Sequence, residues 1–142
     1  MSEQQQVEHI VDMMYNNDPF SQWLGIERLE DGPGISVLRM TVRKEMTNGF
    51  GMAHGGISFS FADSAFAFAC NSRGKKAVSI ECSVNHLKPI HAGDVLTARA
   101  EEVSRSNKLG VYDVRIMNQD DTLVALFKGL VYRTSEDWPK KE

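Results

Sequence analysis

The sequence is poor in the residues that would staple a chain together. It has only two cysteines, Cys70 and Cys82, and no C-x-x-C pair. Two cysteines cannot build a disulfide framework, and the missing pair excludes a cysteine zinc site. Both residues lie in apolar stretches, which favours reduced, buried side chains.

Long apolar runs are also missing. The longest extends from Ala65 to Cys70, whereas a membrane span needs about 20 apolar residues. The sequence starts with polar and acidic residues where a signal peptide would be basic and then apolar. We therefore expect a cytoplasmic protein with no membrane partner.

Neither sign of charge dominates, because 16 Lys and Arg stand against 19 Asp and Glu, a net charge of −3. This balance argues against a nucleic-acid partner bound through its phosphate backbone. No P-loop or dinucleotide fingerprint is present, and His86 and His91 are poorly spaced for a zinc pair. We expect no cofactor and no metal. An anionic small ligand stays compatible, since it needs only two or three cations.

The length of 142 residues, with 42% apolar and 25% charged residues, is typical of one soluble domain. We treat residues 1–142 as that domain. Apolar residues spaced by three and four predict a short amphipathic helix over 3–16, within an N-terminal region of about 1–20. Pro19 ends it, and residues 20–25 allow one more helical turn. The tail, about 134–142, is predicted to fray.

A second helical segment, ISFSFADSAFAFACNS, follows His54-Gly55-Gly56. It is apolar around most of its circumference, which indicates a buried helix. Its polar residues fall on one side and form a stripe: Ser60, Asp63, Ser64 and Asn71.

Two-residue periodicity dominates elsewhere. Two strands precede the buried helix, around the turn at 31–34, and three or four antiparallel strands follow it as a meander. One buried helix beside five or six strands implies a sheet that curls around the helix. The predicted class is α+β.

Asp63 is the most informative residue, because ionised carboxylates are rare in an apolar helix unless they are paired or functional. Before it, Gly55 and Gly56 open the helix, where free N–H groups form an anion site and glycine permits close approach. An oxyanion hole and a base or nucleophile would together make an acyl-transfer site. Taken alone, such a carboxylate more often fixes packing, and a lone His54-Gly55-Gly56 more often forms a tight loop-to-helix turn.

The stretch NGFGMAHGGISFSFADSAFAFACNSRG resembles the H-G-G-x-x-x-x-x-x-D signature of hotdog-fold acyl-CoA thioesterases, and more narrowly their phenylacetate-degradation (PaaI) branch. The similarity continues through SIECSVNHLKPIHAG and GVYDVRIMNQDDTLVALFKG. It implies the hotdog fold, in which a curled antiparallel sheet wraps one long helix.

The resemblance also implies residue roles. Asp63 matches the carboxylate that attacks the thioester carbonyl or activates a water. The Gly55 N–H matches the group that polarises this carbonyl, and His54 matches a residue that holds the thioester end. Asn48 matches an asparagine that orients the water. Ser79 lies near the position of a supporting serine.

Further contacts with the acyl-CoA substrate are expected at Gly56 and at Ser64, which follows the matched aspartate. Coenzyme A carries phosphates, so cations are expected near the mouth of the site. Lys88 and Arg105, near strand ends, are the candidates, with Arg73 and Lys108 behind them.

These features predict an acyl-CoA thioesterase for aryl or arylacetyl thioesters. One alternative is a hotdog hydratase or dehydratase, which would use a different helix motif. Another is a non-catalytic acyl-CoA binding module, which would not need a buried carboxylate. The family resemblance further implies a homodimer with shared active sites, paired along the strand 77–87, and a homotetramer built as a dimer of dimers.

Overall fold

The computed structural model describes residues 1–142. Its elements follow the order α1 (Glu3–Asn16), α2 (Pro19–Leu24), β1 (Glu27–Gly32), β2 (Ile35–Thr41), α3 (Gly55–Asn71), β3 (Lys75–His86), β4 (Val95–Arg105), β5 (Leu109–Met117) and β6 (Leu123–Asp137). A short 3₁₀ turn at Lys44–Met46 lies between β2 and α3. The predicted α+β class and hotdog architecture are confirmed.

Local capping explains the two short helices. Ser2 and Gln5 form a reciprocal capping box at the start of α1. The Asp18 carboxylate accepts the Ser21 N–H at 2.9 Å at the start of α2, and Gly25 ends α2 in the left-handed conformation at φ 75°. The predicted extra turn is therefore a separate helix.

All six strands form one antiparallel sheet in the order β1-β2-β4-β5-β6-β3. The predicted meander is confirmed for three strands, β4, β5 and β6, which pair in chain order. Strand β3 is not part of it, because β3 pairs with β6 at the far edge and β4 lies between β2 and β5. The β3–β4 connection, residues 87–94, must therefore pass over the end of the sheet. Within it, the Ile90 carbonyl accepts the Ala53 N–H at 2.7 Å, which places the connection against the segment entering α3.

The core lies between α3 and the concave face of the sheet. Phe66 of α3 contacts Tyr112 and Phe127, with ring centroids 5.8 and 5.4 Å away. Gly129 of β6 lies directly beneath the Phe66 ring, and a β-carbon there would overlap that ring. The depth of α3 on the sheet therefore depends on a position without a side chain.

The C-terminal segment is more ordered than the sequence suggests. Strand β6 continues to Asp137, and the Trp138 indole N–H donates to Oδ1 of the Asn71 side chain at 2.9 Å. The same Asn71 side chain also pairs with the backbone of Ala77. The predicted fraying from residue 134 is wrong as far as Trp138, because a long-range hydrogen bond holds this end.

None of the helices has the length and apolar character that crossing a bilayer requires.

Candidate active site

Two grooves flank the first turn of α3. The β3-side groove, about 410 Å³, is lined by Met52, Ala53, Gly55, Ser58, His86, Leu87, Lys88, Pro89 and Ile90. The α2-side groove, about 370 Å³, is lined by Phe20, Trp23, Glu45, Met46, Thr47, His54, Gly56, Ile57 and Ser60. A third cavity, on the outer face of the sheet, contains none of the motif residues.

The two glycines that open α3 have different hydrogen-bond partners. His54 is the N-cap, and its Nδ1 accepts the Gly56 N–H at 3.1 Å. The Gly55 N–H has no acceptor within hydrogen-bond distance. Because Nδ1 accepts, the proton of a neutral His54 ring lies on Nε2. Gly55 therefore presents a free backbone donor at the positive end of the helix.

Asn48 organises the loop that precedes α3. Its side-chain oxygen accepts the N–H of Phe50 at 2.9 Å and of Met52 at 3.3 Å. Its backbone N–H donates to the Met52 carbonyl at 2.7 Å. The side-chain amide N–H₂ has no protein acceptor, so it is free to donate to a water or a substrate.

Asp63 lies half-buried on α3 without a hydrogen-bond or ion-pair partner. Burial raises the pKa of this carboxyl above its usual value, and the negative charge of Asp18, the N-cap of α2, adds to the shift. Both causes disfavour the charged form. The carboxylate is thus unpaired and costly to bury, and no contact within the chain offers it a structural role.

The thiol of Cys82, on the edge strand β3, responds to the charge of Asp63. The pKa of the Cys82 thiol is raised by burial and by the charge of Asp63, against the lowering effect of a hydrogen bond from Ser79. Asp63 therefore lies within electrostatic reach of β3.

Ser64 points away from the other site residues. Its buried hydroxyl lies 2.8 Å from the Ser21 hydroxyl, which donates to Asp18 at 2.6 Å. This chain of hydrogen bonds joins α3 to α2. Ser64 therefore has a packing partner and does not reach either groove.

The two predicted phosphate contacts lie at opposite ends of the sheet. Lys88 is exposed in the β3-side groove, just after β3. Arg105 ends β4 and pairs with Glu102 at 3.3 Å. Arg73 also pairs with Glu102, at 2.8 Å. Of the two predicted phosphate contacts of one chain, only Lys88 lies beside the first turn of α3.

The structure adds three residues that periodicity did not single out. His86 stands over Gly55, so that a β-carbon on Gly55 would lie 3.2 Å from its Nε2. Phe20 and Trp23 stack at 6.0 Å between ring centroids and are 50% and 48% exposed. The sequence shows two aromatic residues three positions apart. Only the fold shows that their rings stack, stay exposed and border the first turn of α3.

Comparison with known proteins decides the family. Residues 50–125 match the family model described as the thioesterase superfamily. The chain belongs to this superfamily.

The thioesterase is 46% identical over 120 residues to the acyl-coenzyme A thioesterase PaaI of Escherichia coli, covering 84% of this chain and 86% of that protein. The structure of E. coli PaaI, from the phenylacetic acid degradation operon, matches with a TM-score of 0.93 and 41% identity. That match covers 96% and 99% of the two chains.

A Streptococcus mutans protein crystallised with acetyl CoA matches at 26% identity and a TM-score of 0.77, over 80% and 91% of the chains. The expected kind of enzyme, a hotdog-fold acyl-CoA thioesterase of the PaaI type, is confirmed, with an acyl-CoA as its substrate. Thioester hydrolysis needs an oxyanion donor and a base or nucleophile, and the free Gly55 N–H and the unpaired Asp63 carboxylate have the chemical properties of such groups.

Proposed function

We propose that this thioesterase hydrolyses aryl or arylacetyl CoA thioesters at two sites shared between the subunits of a homodimer. Asp63 is the base or nucleophile, and the Gly55 N–H is the oxyanion donor. Asn48 orients the water and His54 supports the thioester end. An acyl-CoA substrate also supports the cytoplasmic location expected from the sequence.

The spacing of Gly55 and Asp63 carries the proposal of a shared site. Eight residues of α-helix separate them by about 12 Å along the helix axis and about 80° around it. An oxyanion donor and a base must both lie about 3 Å from the same reacting group. These two groups of one chain therefore cannot serve one thioester, whereas the Asp63 of a second copy can complete the site.

The edge of the sheet supports the same assembly. Strand β3 spans 12 residues and pairs only with β6. Its exposed Val78 and Ile80 are 53% and 56% accessible. A long, apolar, unpaired edge invites strand addition. Pairing β3 with its symmetry mate across a two-fold axis removes both edges and brings each Asp63 towards the seam. Two such dimers stacked together would give the expected tetramer.

The chemistry follows from these positions. The substrate carbonyl accepts the Gly55 N–H, and this donor stabilises the negative oxygen of the tetrahedral intermediate. Asp63 either removes a proton from the attacking water or attacks the carbonyl carbon itself. In the first route the water oxygen bonds to the carbonyl carbon, the C–S bond breaks, and the leaving CoA thiolate takes up the proton held by Asp63. In the second route the C–S bond breaks as an acyl–Asp63 anhydride forms, and a water molecule then hydrolyses this anhydride to release the carboxylic acid and regenerate Asp63. The raised pKa of Asp63 makes its carboxylate a stronger base than an exposed aspartate.

The α2-side groove supports the aromatic acyl group. Its wall contains the stacked rings of Phe20 and Trp23, and Ser60 lies one helical turn before Asp63. Arg43 lies 4.9 Å from the Trp23 ring centroid and donates to the Trp23 carbonyl at 2.7 Å. A flat aromatic ring packs favourably against such faces.

The direct test is thiol release from a panel of CoA esters. Phenylacetyl-CoA should give a higher kcat/KM than hexanoyl-CoA, because only the aryl group can stack in the α2-side groove. A preference for the aliphatic ester would overturn the aryl assignment. Binding of CoA esters without thiol release would favour a binding module, and hydration of an enoyl-CoA would favour a hydratase.

Subunit mixing tests the shared site. An Asp63→Ala variant and an Asn48→Ala variant are unfolded, mixed in equal amounts and refolded. Each heterodimer then has one intact site, so the mixture should reach about a quarter of wild-type activity, since half of the random dimers are heterodimers. No recovery, with heterodimers shown by mass spectrometry, would place each site within one chain. A monomer in sedimentation would also reject the assembly.

A further inference from the structure

His86 lies beside the Gly55 N–H and has no role in the reaction proposed above. It is the last residue of β3, and its ring lines the β3-side groove together with Gly55 and Ser58. Its Nε2 lies 3.2 Å from the place of a Gly55 β-carbon. Any side chain at position 55 would therefore press on the imidazole.

The hydrogen bonds of Ser58 favour one tautomer of the His86 ring. The Ser58 hydroxyl donates to the Gly55 carbonyl at 3.1 Å, since a carbonyl can only accept. The same Oγ lies 3.2 Å from Nδ1 of His86. A hydroxyl has one proton, so in this arrangement Nδ1–H donates to Oγ. In the neutral ring, Nε2 is then an acceptor that faces Gly55.

The opening of α3 thus presents a donor and an acceptor side by side. The Gly55 N–H suits the thioester carbonyl, whereas a bare nitrogen would repel the negative oxygen of the intermediate. The acceptor must receive an N–H or O–H group of the ligand instead. In a CoA ester, the cysteamine amide N–H is four bonds from the thioester carbonyl carbon, so one molecule carries both matching groups.

We propose that His86 is a positioning residue whose Nε2 accepts the cysteamine amide N–H of the CoA ester, with Ser58 holding the ring. This inference rests on the proposed function and adds the feature by which the thioester is placed on the Gly55 N–H. The pantetheine arm of CoA would then lie in the β3-side groove. Lys88, in the same groove, would lie nearer to the phosphates. The acyl group is left to the α2-side groove.

The test compares three phenylacetyl thioesters: those of CoA, N-acetylcysteamine and 1-pentanethiol. The last has the same chain length as N-acetylcysteamine but no amide. His86→Phe keeps a flat ring and removes the acceptor. It should lower kcat/KM for the first two esters about three- to tenfold, the size of one neutral hydrogen bond. It should leave the pentanethiol ester within twofold of wild type.

Two further variants separate positioning from folding. His86→Gln offers an amide oxygen as acceptor and should recover part of the lost kcat/KM on the amide-bearing esters. Ser58→Ala frees the ring and should give a smaller loss with the same selectivity. His9→Phe, on α1 and outside both grooves, is the control and should behave as wild type. Thermal melting of each variant reports folding.

The results that would overturn the proposal are specific. Equal losses on all three esters would make His86 a packing residue, and no loss on any would make it irrelevant. Calorimetric titration with CoA is independent of turnover and should show three- to tenfold weaker binding by His86→Phe; unchanged binding would contradict the proposal. A wild type that binds CoA but releases no thiol would overturn the proposed function and leave the binding role of His86 standing.

Discussion

The His54 imidazole accepts the N–H of Gly56 at 3.1 Å, while the N–H of Gly55 beside it has no acceptor. The histidine of the motif therefore caps one N–H at the end of the helix and leaves the neighbouring N–H without a partner in the chain. This division assigns different tasks to adjacent residues of one short motif.

The first prediction concerns this cap. His54→Ala should destabilise the protein by about 1 kcal/mol, because the Gly56 N–H loses its partner. His54→Asn supplies another capping oxygen and should restore the free energy of unfolding in urea titrations. If the imidazole also holds the thioester, His54→Asn will regain stability without regaining kcat. Full recovery of both would make His54 a cap only.

Replacing Asp63 by Asn should lower kcat at least about 100-fold, since the base or nucleophile is lost. The same change should raise the melting temperature at pH 7, because a carboxylate that is costly to bury is removed. Asp120→Asn, on the exposed turn after β5, is the control and should change neither quantity. Activity within a few-fold of wild type would show that Asp63 is not catalytic.

The stability gain of Asp63→Asn should depend on pH. The folded pKa of Asp63 lies above its ordinary value of 3.8, so the native state binds the proton more tightly than the unfolded chain does. The contribution of Asp63 to the free energy of unfolding is therefore most favourable below pH 3.8 and is lost as the pH rises through the raised pKa. The difference between the two proteins should shrink on acidification, as measured by melting scans.

Asn48 allows its two functional groups to be separated. Asn48→Asp retains the oxygen that accepts from Phe50 and Met52, and loses the amide donor. We expect it to fold like wild type, with kcat at least about tenfold lower and KM little changed. Asn48→Ala also loses the loop contacts, so its melting temperature should fall as well, with kcat still affected more than KM. A pure KM effect in Asn48→Asp would reassign the residue to ligand binding.

Lys88→Ala should raise KM for phenylacetyl-CoA about two- to fivefold, the size of an exposed ion pair. KM for the N-acetylcysteamine ester, which has no phosphates, should not change. Added salt should reduce the difference. Arg105→Ala is the comparison, because its guanidinium is paired with Glu102 at the opposite end of the sheet. If Arg105→Ala raised KM for the CoA ester, the Arg105 side chain of the partner subunit would have to contact the phosphates.

Trp23→Leu should lower kcat/KM for phenylacetyl-CoA more than for hexanoyl-CoA, because it removes one aromatic face and keeps an apolar side chain. Competition between the two esters measures the change in preference directly. Trp138→Leu removes a tryptophan outside both grooves and serves as the control for preference. The same factor lost on both esters would remove Trp23 from the acyl site.

Periodicity predicted the elements well where burial alternates regularly. The helix around Asp63 and the strands on either side of it were found in this way, because apolar spacing directly reflects which face is buried. The order of the strands was harder to predict. A local pattern does not contain the partner of β3, which is set by how the connection at 87–94 passes the end of the sheet.

The sequence could name candidate site residues where they lie within one contiguous motif, such as Asn48, His54 and Gly55, and their roles stay predictions. Contacts between distant segments were not predictable. His86 meets Ser58 across 28 positions, and Trp138 meets Asn71 across 67. Hydrogen bonds of this kind leave no periodic trace. Ser64 shows that neighbours in sequence can be separated in space. It follows Asp63 in the chain, but its hydroxyl lies on the side of α3 that faces Ser21.

Gly129 has a consequence that reaches beyond the core. Since the Phe66 ring occupies the space of a β-carbon there, even an alanine would lift α3 from the sheet. Asp63 lies less than one turn before Phe66 and would move with it. Inactivating mutations should therefore arise in the middle of β6, far from any group that touches the thioester. A screen for lost activity would find them among variants that still accumulate in the cell.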